Sequence, residues 1–198
     1  LFRMRWIGVM EKDNKDYLVE FSLTKQFQKP RTLHQAIDFL GYAALSPQSD
    51  QLVWIEWQNP FMPWDQGQLC WGEITPTGEI GSCTVLLGSK NNEKKPCSIF
   101  QPQWLPNGEL VVAEDTSGWW NLIVAGPDFS INSLPKWRNI WPVQAEVACP
   151  QWVYGMKTIA PTTQGVIALS CKSASWGIHH VNIKGGLTHV RLPFDDLK

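Results

Sequence analysis

The sequence predicts an all-β fold: a partial β-propeller of about four blades, each a three- to four-stranded antiparallel sheet. Three observations carry that reading. First, one pattern recurs: a turn on Pro or Gly, a short apolar strand ending in a polar step, then an aromatic-led strand. Its clearest copy is Pro102-Gln103-Trp104-Leu105-Pro106-Asn107-Gly108, then Glu109 to Asp115, then Gly118-Trp119-Trp120-Asn121-Leu122. A second opens at Pro150-Gln151-Trp152, and a third runs through Leu45-Ser46-Pro47, Leu52 to Glu56 and Leu69-Cys70-Trp71. A period of roughly 45–55 residues with several strands in each unit is the mark of propeller blades. Second, the apolar runs are short, rich in Val, Ile, Leu and Trp, and show no 3.6-residue periodicity. They are largely continuous rather than alternating, as expected when blades pack on both faces. Third, the chain holds 12 tryptophans in 198 residues, and wide rings suit the taper between blade sheets.

The elements follow in order. Met4 to Met10 and Tyr17 to Phe21 read as strands joined by the polar turn Asp13 to Asp16. Thr32 to Phe39 reads equally as a short helix or an irregular strand. Tyr42 to Leu45 opens the next unit, followed by a turn at Pro47 to Asp50 and a strand from Leu52 to Trp57. An aromatic loop from Gln58 to Gly67 is longer than a hairpin needs. Strands at Gln68 to Ile74 and Thr84 to Leu87 lead to a polar loop, Ser89 to Pro96. In the last unit Val166 to Cys171, Gly177 to Ile183 and Leu187 to Leu192 read as strands, with Gly185-Gly186 as a two-residue hairpin turn. The approximate blades are 1–40, 41–98, 99–148 and 149–198 of one partial propeller domain.

Composition narrows the function. With 43% hydrophobic residues the chain can bury a core, so it is not disordered. A net charge of −1 and a pI near 6.5, with no basic run beyond Lys94-Lys95, give no footprint for nucleic acid or an anionic membrane. No apolar run reaches the roughly 20 residues that span a bilayer. Five cysteines, Cys70, Cys83, Cys97, Cys149 and Cys171, include no Cys-x-x-Cys pair and read as free thiols of a cytoplasmic protein. No disulfide and no metal are expected.

Catalytic signatures are absent. The sequence has no Gly-x-Ser-x-Gly elbow, no Gly-x-Gly-x-x-Gly and no phosphate-cradling Gly-Lys-Ser/Thr loop, so no cofactor is expected. His179 and His180 are adjacent in a strand and face opposite ways, which makes a poor metal pair. Glu114-Asp115 closes a strand before Thr116-Ser117-Gly118 and is explained by turn chemistry. Trp54, Trp71, Trp104 and Trp152 are expected in strands, packed between blades. Trp64, in a Pro-bounded loop beside Asp65, and Trp119, whose neighbour Trp120 must face the other way, are the rings expected to be open to a ligand.

Several stretches also resemble a known family. Asn59-Pro60-Phe61-Met62-Pro63-Trp64-Asp65 with Leu69-Cys70-Trp71 is one. Ser98 to Trp104, Ser117 to Leu122, and Ala145-Glu146 with Pro150 to Met156 are the others. In this order they resemble the amino-terminal propellers of prolyl oligopeptidase family serine peptidases, in the branch of aminopeptidases and acylaminoacyl peptidases. The resemblance covers roughly Gly41 to Phe194. It departs at the polar insert Asn91 to Pro96 and at Cys149. It implies that an α/β-hydrolase domain outside this sequence carries the Ser-Asp-His triad, and that the propeller gates and selects short peptides for it. The chain then holds about four blades of a seven- or eight-bladed ring, and is itself non-catalytic. Its implied partners are that hydrolase domain, the remaining blades and short peptides. Self-association through uncovered blade faces is expected if those partners are lacking. Glu146, in a loop between blades, joins Trp64, Asp65 and Trp119 as a substrate-facing candidate. The alternative is a stand-alone TolB-like module that binds a protein partner, with a sugar-binding propeller behind it.

Overall fold

A computed structural model describes residues 5–24, 29–88 and 96–191. Of the expected loop Ser89 to Pro96, all but Pro96 lies outside the described residues, basic pair included, as does the segment from Leu192 onward. So do Met4 and the last residue of the expected strand Leu187 to Leu192.

Four antiparallel sheets form, and no helix occurs among the described residues. Blade 1 is β1 (Arg5–Lys12), β2 (Lys15–Ser22) and β3 (Arg31–Gln35). Blade 2 is β4 (Phe39–Leu45), β5 (Gln51–Trp57), β6 (Gln68–Ile74) and β7 (Ile80–Leu87). Blade 3 is β8 (Ile99–Trp104), β9 (Leu110–Glu114), β10 (Asn121–Ala125) and β11 (Trp137–Asn139). Blade 4 is β12 (Ile159–Pro161), β13 (Gly165–Lys172), β14 (Ser175–Asn182) and β15 (Leu187–Val190). Within each sheet the strands pair in chain order. In blades 2, 3 and 4 the first strand is the inner one: β4 lies against β8 and β8 against β12, while β4 also meets β1 and β2 of blade 1. This is a propeller-like, unclosed arc of blades.

The continuous apolar runs follow from this arrangement, because each central strand feeds two interfaces. On β5, Leu52 and Trp54 join Leu18 and Leu40 between blades 1 and 2, while Val53 and Ile55 face Ile99 and Leu110 between blades 2 and 3. On β9, Leu110 and Val112 point to blade 2, and Val111 and Ala113 point to Val166, Ala168 and Val181 of blade 4. Successive side chains leave a strand on opposite faces, so both faces must be apolar. Trp54, Trp71 and Trp104 fill these interfaces as expected, and each indole N–H is satisfied: by Glu56 Oε1 at 2.7 Å, Gln51 Oε1 at 2.9 Å and the Ala44 carbonyl at 3.0 Å. Polar links add to the packing. Arg5 and Arg31 both pair with Glu20 and both donate to the Gly78 carbonyl of the β6–β7 turn, tying blade 1 to blade 2.

Some local expectations shift. Thr32 to Phe39 resolves as the end of β3, a short turn and the start of β4, because β2 supplies a ladder for Thr32, His34 and Gln35. β7 begins at Ile80, earlier than Thr84, since Ile80 packs against blade 1. Gly185-Gly186 is not a two-residue turn. Ile183 is drawn into the core between blades 3 and 4, so the loop extends over Ile183 to Gly186 and closes with Gly185 N–H to Asn182 O at 3.0 Å. The two-residue turns are instead Asp13-Asn14 and Ser173-Ala174, all four residues with φ between 51° and 61°, as mirror-image hairpin turns require.

Candidate functional site

The loops that lead into the inner strands lie at one end of the arc, together with the β5–β6, β9–β10 and β13–β14 connections. Hydrogen bonds run from loop to loop around this rim. Asn59 N–H donates to Asp38 Oδ2 at 3.0 Å, Gly67 N–H to Cys97 O at 2.9 Å, and Ser98 Oγ to Pro63 O at 2.9 Å. Ser98 N–H donates to Asp115 Oδ1 at 2.7 Å, Trp120 N–H to Glu146 Oε2 at 2.9 Å, and Glu146 N–H to Cys171 O at 2.9 Å. The rim is therefore stitched across blades 2, 3 and 4 by backbone pairs and by side chains that satisfy a neighbour's backbone.

All four residues singled out from the sequence lie on this rim. Trp64 and Asp65 sit on the β5–β6 loop, Trp119 on the β9–β10 turn and Glu146 on the segment before β12. Trp64 is half-buried against the core between blades 3 and 4, and its ring centroid stands 4.3 Å from that of Trp152. Asp65 is exposed, and its carboxylate accepts Met62 N–H at 3.0 Å, which holds the loop's own turn. Trp119 is 38% exposed, while Trp120 points inward and is buried. Glu146 is half-buried and committed through one oxygen to the Trp120 amide, so it braces the turn that presents Trp119. Burial, with the charges of Glu114 and Glu146, raises the Asp115 pKa, although the Ser98 hydrogen bond works against that rise.

Trp152 corrects an expectation. It is not in a strand and is not packed between blades: it is 70% exposed. In blade 4 the turn that matches Pro47 and Pro106 falls at Pro161, where Thr162 N–H bonds Gly165 O at 2.8 Å as Leu105 N–H bonds Glu109 O in blade 3. The second Pro-Gln-Trp therefore precedes the blade's inner strand and belongs to the rim. Its Gln151 Nε2 donates to the Ile99 carbonyl at 3.1 Å and anchors the segment. Val153 and Tyr154 are exposed beside it, as are Phe61 and Met62 on the β5–β6 loop. Sequence reasoning missed these. The signal was present: Trp152-Val153-Tyr154 is bounded by Pro150 and Gly155, the same criterion that singled out Trp64.

Among the described residues, the one serine–histidine contact of blade 4 lacks an orienting acid. Ser170 Oγ and His179 Nε2 stand 3.1 Å apart, but His179 Nδ1 is buried with no hydrogen-bond partner among the described residues, so no acid orients the ring. Burial and then His189 lower the His179 pKa and favour its neutral form. Glu114 and Asp115 serve the β9–β10 turn, accepting Thr116 N–H at 2.8 Å and Ser98 N–H at 2.7 Å. Among the described residues no group of three His, Cys, Asp or Glu side chains could hold a metal, and no helix is long and apolar enough to cross a membrane. The five cysteines are unbridged.

No protein-family model and no curated protein matches the chain. Solved structures do. A puromycin hydrolase matches with a TM-score of 0.77 and 28% identity over 92% of this chain. A puromycin-hydrolyzing peptidase of Mycobacterium tuberculosis matches with a TM-score of 0.74 and 20% identity over 96% of it, and apo prolyl oligopeptidase B of Galerina marginata with 0.66 and 11% over 98%. The chain resembles the propellers of prolyl oligopeptidase family proteins. It spans 27%, 29% and 26% of these three chains, respectively. A TolB protein of Agrobacterium tumefaciens shares the fold with a TM-score of 0.65 at 10% identity, over 94% of this chain and 60% of its own. The prolyl-oligopeptidase-like propeller and the TolB propeller are thus two settings in which this arc of blades recurs.

Proposed function

We propose that this chain is a non-catalytic propeller segment of a prolyl-oligopeptidase-like serine peptidase, with the rim selecting short peptides for a hydrolase domain outside this sequence. The observation that carries the reading is the convergence of Phe61, Trp64, Trp119, Trp152 and Tyr154 at one end of the arc. Exposed aromatic rings grouped on a braced rim are suited to packing against a second domain or an apolar peptide side chain. The match of 28% identity to a puromycin hydrolase supports this setting over the alternative, a TolB-like binding module, for which the likeness supports the fold alone. An aminopeptidase or acylaminoacyl peptidase is the enzyme class we favour, and the cytoplasm, where five unbridged thiols are stable, is the compartment.

The test begins with the reading frame beyond Lys198. A Gly-x-Ser-x-Gly within the next few hundred codons supports the peptidase, and its absence leaves the binding module. In the full protein, Trp152→Ala and Trp64→Ala are then expected to change kcat/KM for a tetrapeptide nitroanilide by about tenfold relative to an aminoacyl-nitroanilide. A ratio unchanged within about twofold would show that the rim does not select peptides.

A further inference from the structure

β15 is the outer edge of blade 4, and it brings His189 directly opposite His179 of β14. Residues opposed in this way share one face of a sheet. Here it is the face turned to blade 3, where Val181 joins the core and Trp141 lies against His179 with ring centroids 4.7 Å apart. The sequence sets His179 beside His180, but that ring leaves by the other face and meets Thr162 Oγ1 at 3.3 Å. The partner of His179 comes instead from the neighbouring strand, and only the pairing of β14 with β15 reveals it.

The geometry suits shared ligation. The His179 and His189 ring centroids stand 5.1 Å apart, with their planes at 57°. Two imidazoles on one tetrahedral ion, with metal–nitrogen bonds of about 2.0–2.1 Å, hold their centroids about 5.2 Å apart. Both rings reach over Gly177: a Cβ there would stand 2.9 Å from His179 Nε2 and 3.7 Å from His189 Cε1. The absence of a side chain at this glycine leaves open the space on which the two ring edges converge. His179 Nδ1 is enclosed, with no hydrogen-bond partner among the described residues, so the nitrogen open to a ligand is Nε2. Its contact is Ser170 Oγ at 3.1 Å, a hydroxyl that can turn to a metal-bound water. Burial and then His189 lower the His179 pKa, which favours the neutral imidazole that ligation needs. His189 is exposed and gives an ion a path from solvent.

We propose that His179 Nε2 and the His189 ring bind a divalent transition-metal ion of the zinc class, with water in its remaining positions. Imidazole is a favoured ligand of such ions. Two protein ligands make this an open site rather than a closed structural one. The ion ties the edge strand β15, which has one neighbour in its sheet, to β14. The proposal is independent of the peptidase reading, because both ligands lie in blade 4.

The test titrates the chain with Zn²⁺ alone and follows the imidazole Cε1–H signals of His34, His179, His180 and His189 by NMR. The His179 and His189 signals are expected to shift together and to saturate at one equivalent, while those of His34 and His180 stay in place. His189→Ala, at an exposed position, is expected to weaken Zn²⁺ at least about tenfold, since even the outer partners of metal ligands are worth about 10–100-fold. Gly177→Ala keeps both imidazoles but fills the space between them, and is expected to weaken it by a similar factor, with circular dichroism unchanged. His180→Ala, on the opposite face, should bind as the parent does. A shift of His189 without His179, no shift of either, or full Zn²⁺ affinity in His189→Ala would overturn the proposal.

Discussion

Gln101 joins the inner strands of blades 3 and 4, and its replacement offers a sharp test of how the blades are held. Its Oε1 accepts Thr158 N–H at 2.7 Å, and its Nε2 donates to the Ile159 carbonyl. The residue sits at an irregularity in β8 with φ of 48°, in the left-handed region. Gln101→Ala leaves one buried N–H and one buried C=O without a partner. Each costs about 1–3 kcal/mol, so a loss of about 3 kcal/mol is expected. For a chain of this size about 1 kcal/mol corresponds to 2–4 °C in Tm, which predicts a fall of roughly 6–12 °C. Gln101→Gly loses the same hydrogen bonds but relieves the backbone, and should be milder by about 1 kcal/mol. Thermal and urea unfolding of the two variants beside the parent measure both numbers. A loss below about 1 kcal/mol, or a glycine variant no better than the alanine one, would refute the account of Gln101 as an inter-blade tie.

Three further outcomes are expected. Trp71→Ala should cost about 3–5 kcal/mol through its buried cavity, whereas Trp152→Ala should stay within about 0.5 kcal/mol; urea midpoints compare them. The His34–Glu56 contact, 2.7 Å apart, should make stability depend on pH. Burial opposes the charge on each partner, but His34 is still raised by Glu56, and Glu56 is still lowered by its hydrogen bonds from His34 and Trp54. The His34 contribution is full below its ordinary 6.5 and lost as pH rises through the raised value; that of Glu56 is full above its ordinary 4.5 and lost as pH falls through the lowered one. The Tm gap between the parent and Glu56→Gln should therefore be widest between those two values, and a gap that widens toward alkaline pH would contradict the assignment. Finally, the outer faces of blades 1 and 4 carry Trp6 with Phe21, and Ile167, Leu169, Ile178 and Trp176, open to solvent or half-buried. Such faces are expected to self-associate unless further blades cover them, so sedimentation at low micromolar concentration should show oligomers, and a strictly monomeric chain would count against it.

The blades were legible because their cause is local. Strands such as Leu110–Glu114 and Asn121–Ala125 are buried throughout and apolar but for Glu114 and Asn121 at one end, and only a sheet packed on both faces buries such runs. The Ser46-Pro47 and Leu105-Pro106 turns announce the inner hairpins of blades 2 and 3. Blade 4 was harder, because Pro150-Gln151-Trp152 copies the words of blade 3 without its pairing. The segment's fate is set by Gln151 reaching Ile99, 52 residues away, which no local pattern reveals. Ser173-Ala174 was missed for the opposite reason. It takes a left-handed turn without Gly or Asn, imposed by the eight register pairs of β13 and β14. At the rim, Trp64, Asp65, Trp119 and Glu146 were legible as candidates from loop position and strand alternation, but that they share one end of the arc is a product of the fold. That Glu146 spends an oxygen on the Trp120 amide depends on blades 3 and 4 meeting, and only the fold discloses it.

The division of each central strand between two interfaces bears on how the chain comes apart. Blade 3 cannot open without exposing Val111 and Ala113 on one side and Leu110 and Val112 on the other, so its amides are released only when both neighbours let go. Blades 1 and 4 each have one neighbour among the described sheets. In a one-dimensional array the ends fray first and the middle carries the global stability. Hydrogen exchange across the arc would therefore be graded, slowest in β9 and β10 and fastest in β1 and β15, with the rim loops of blades 2 and 3 carried on its most durable part.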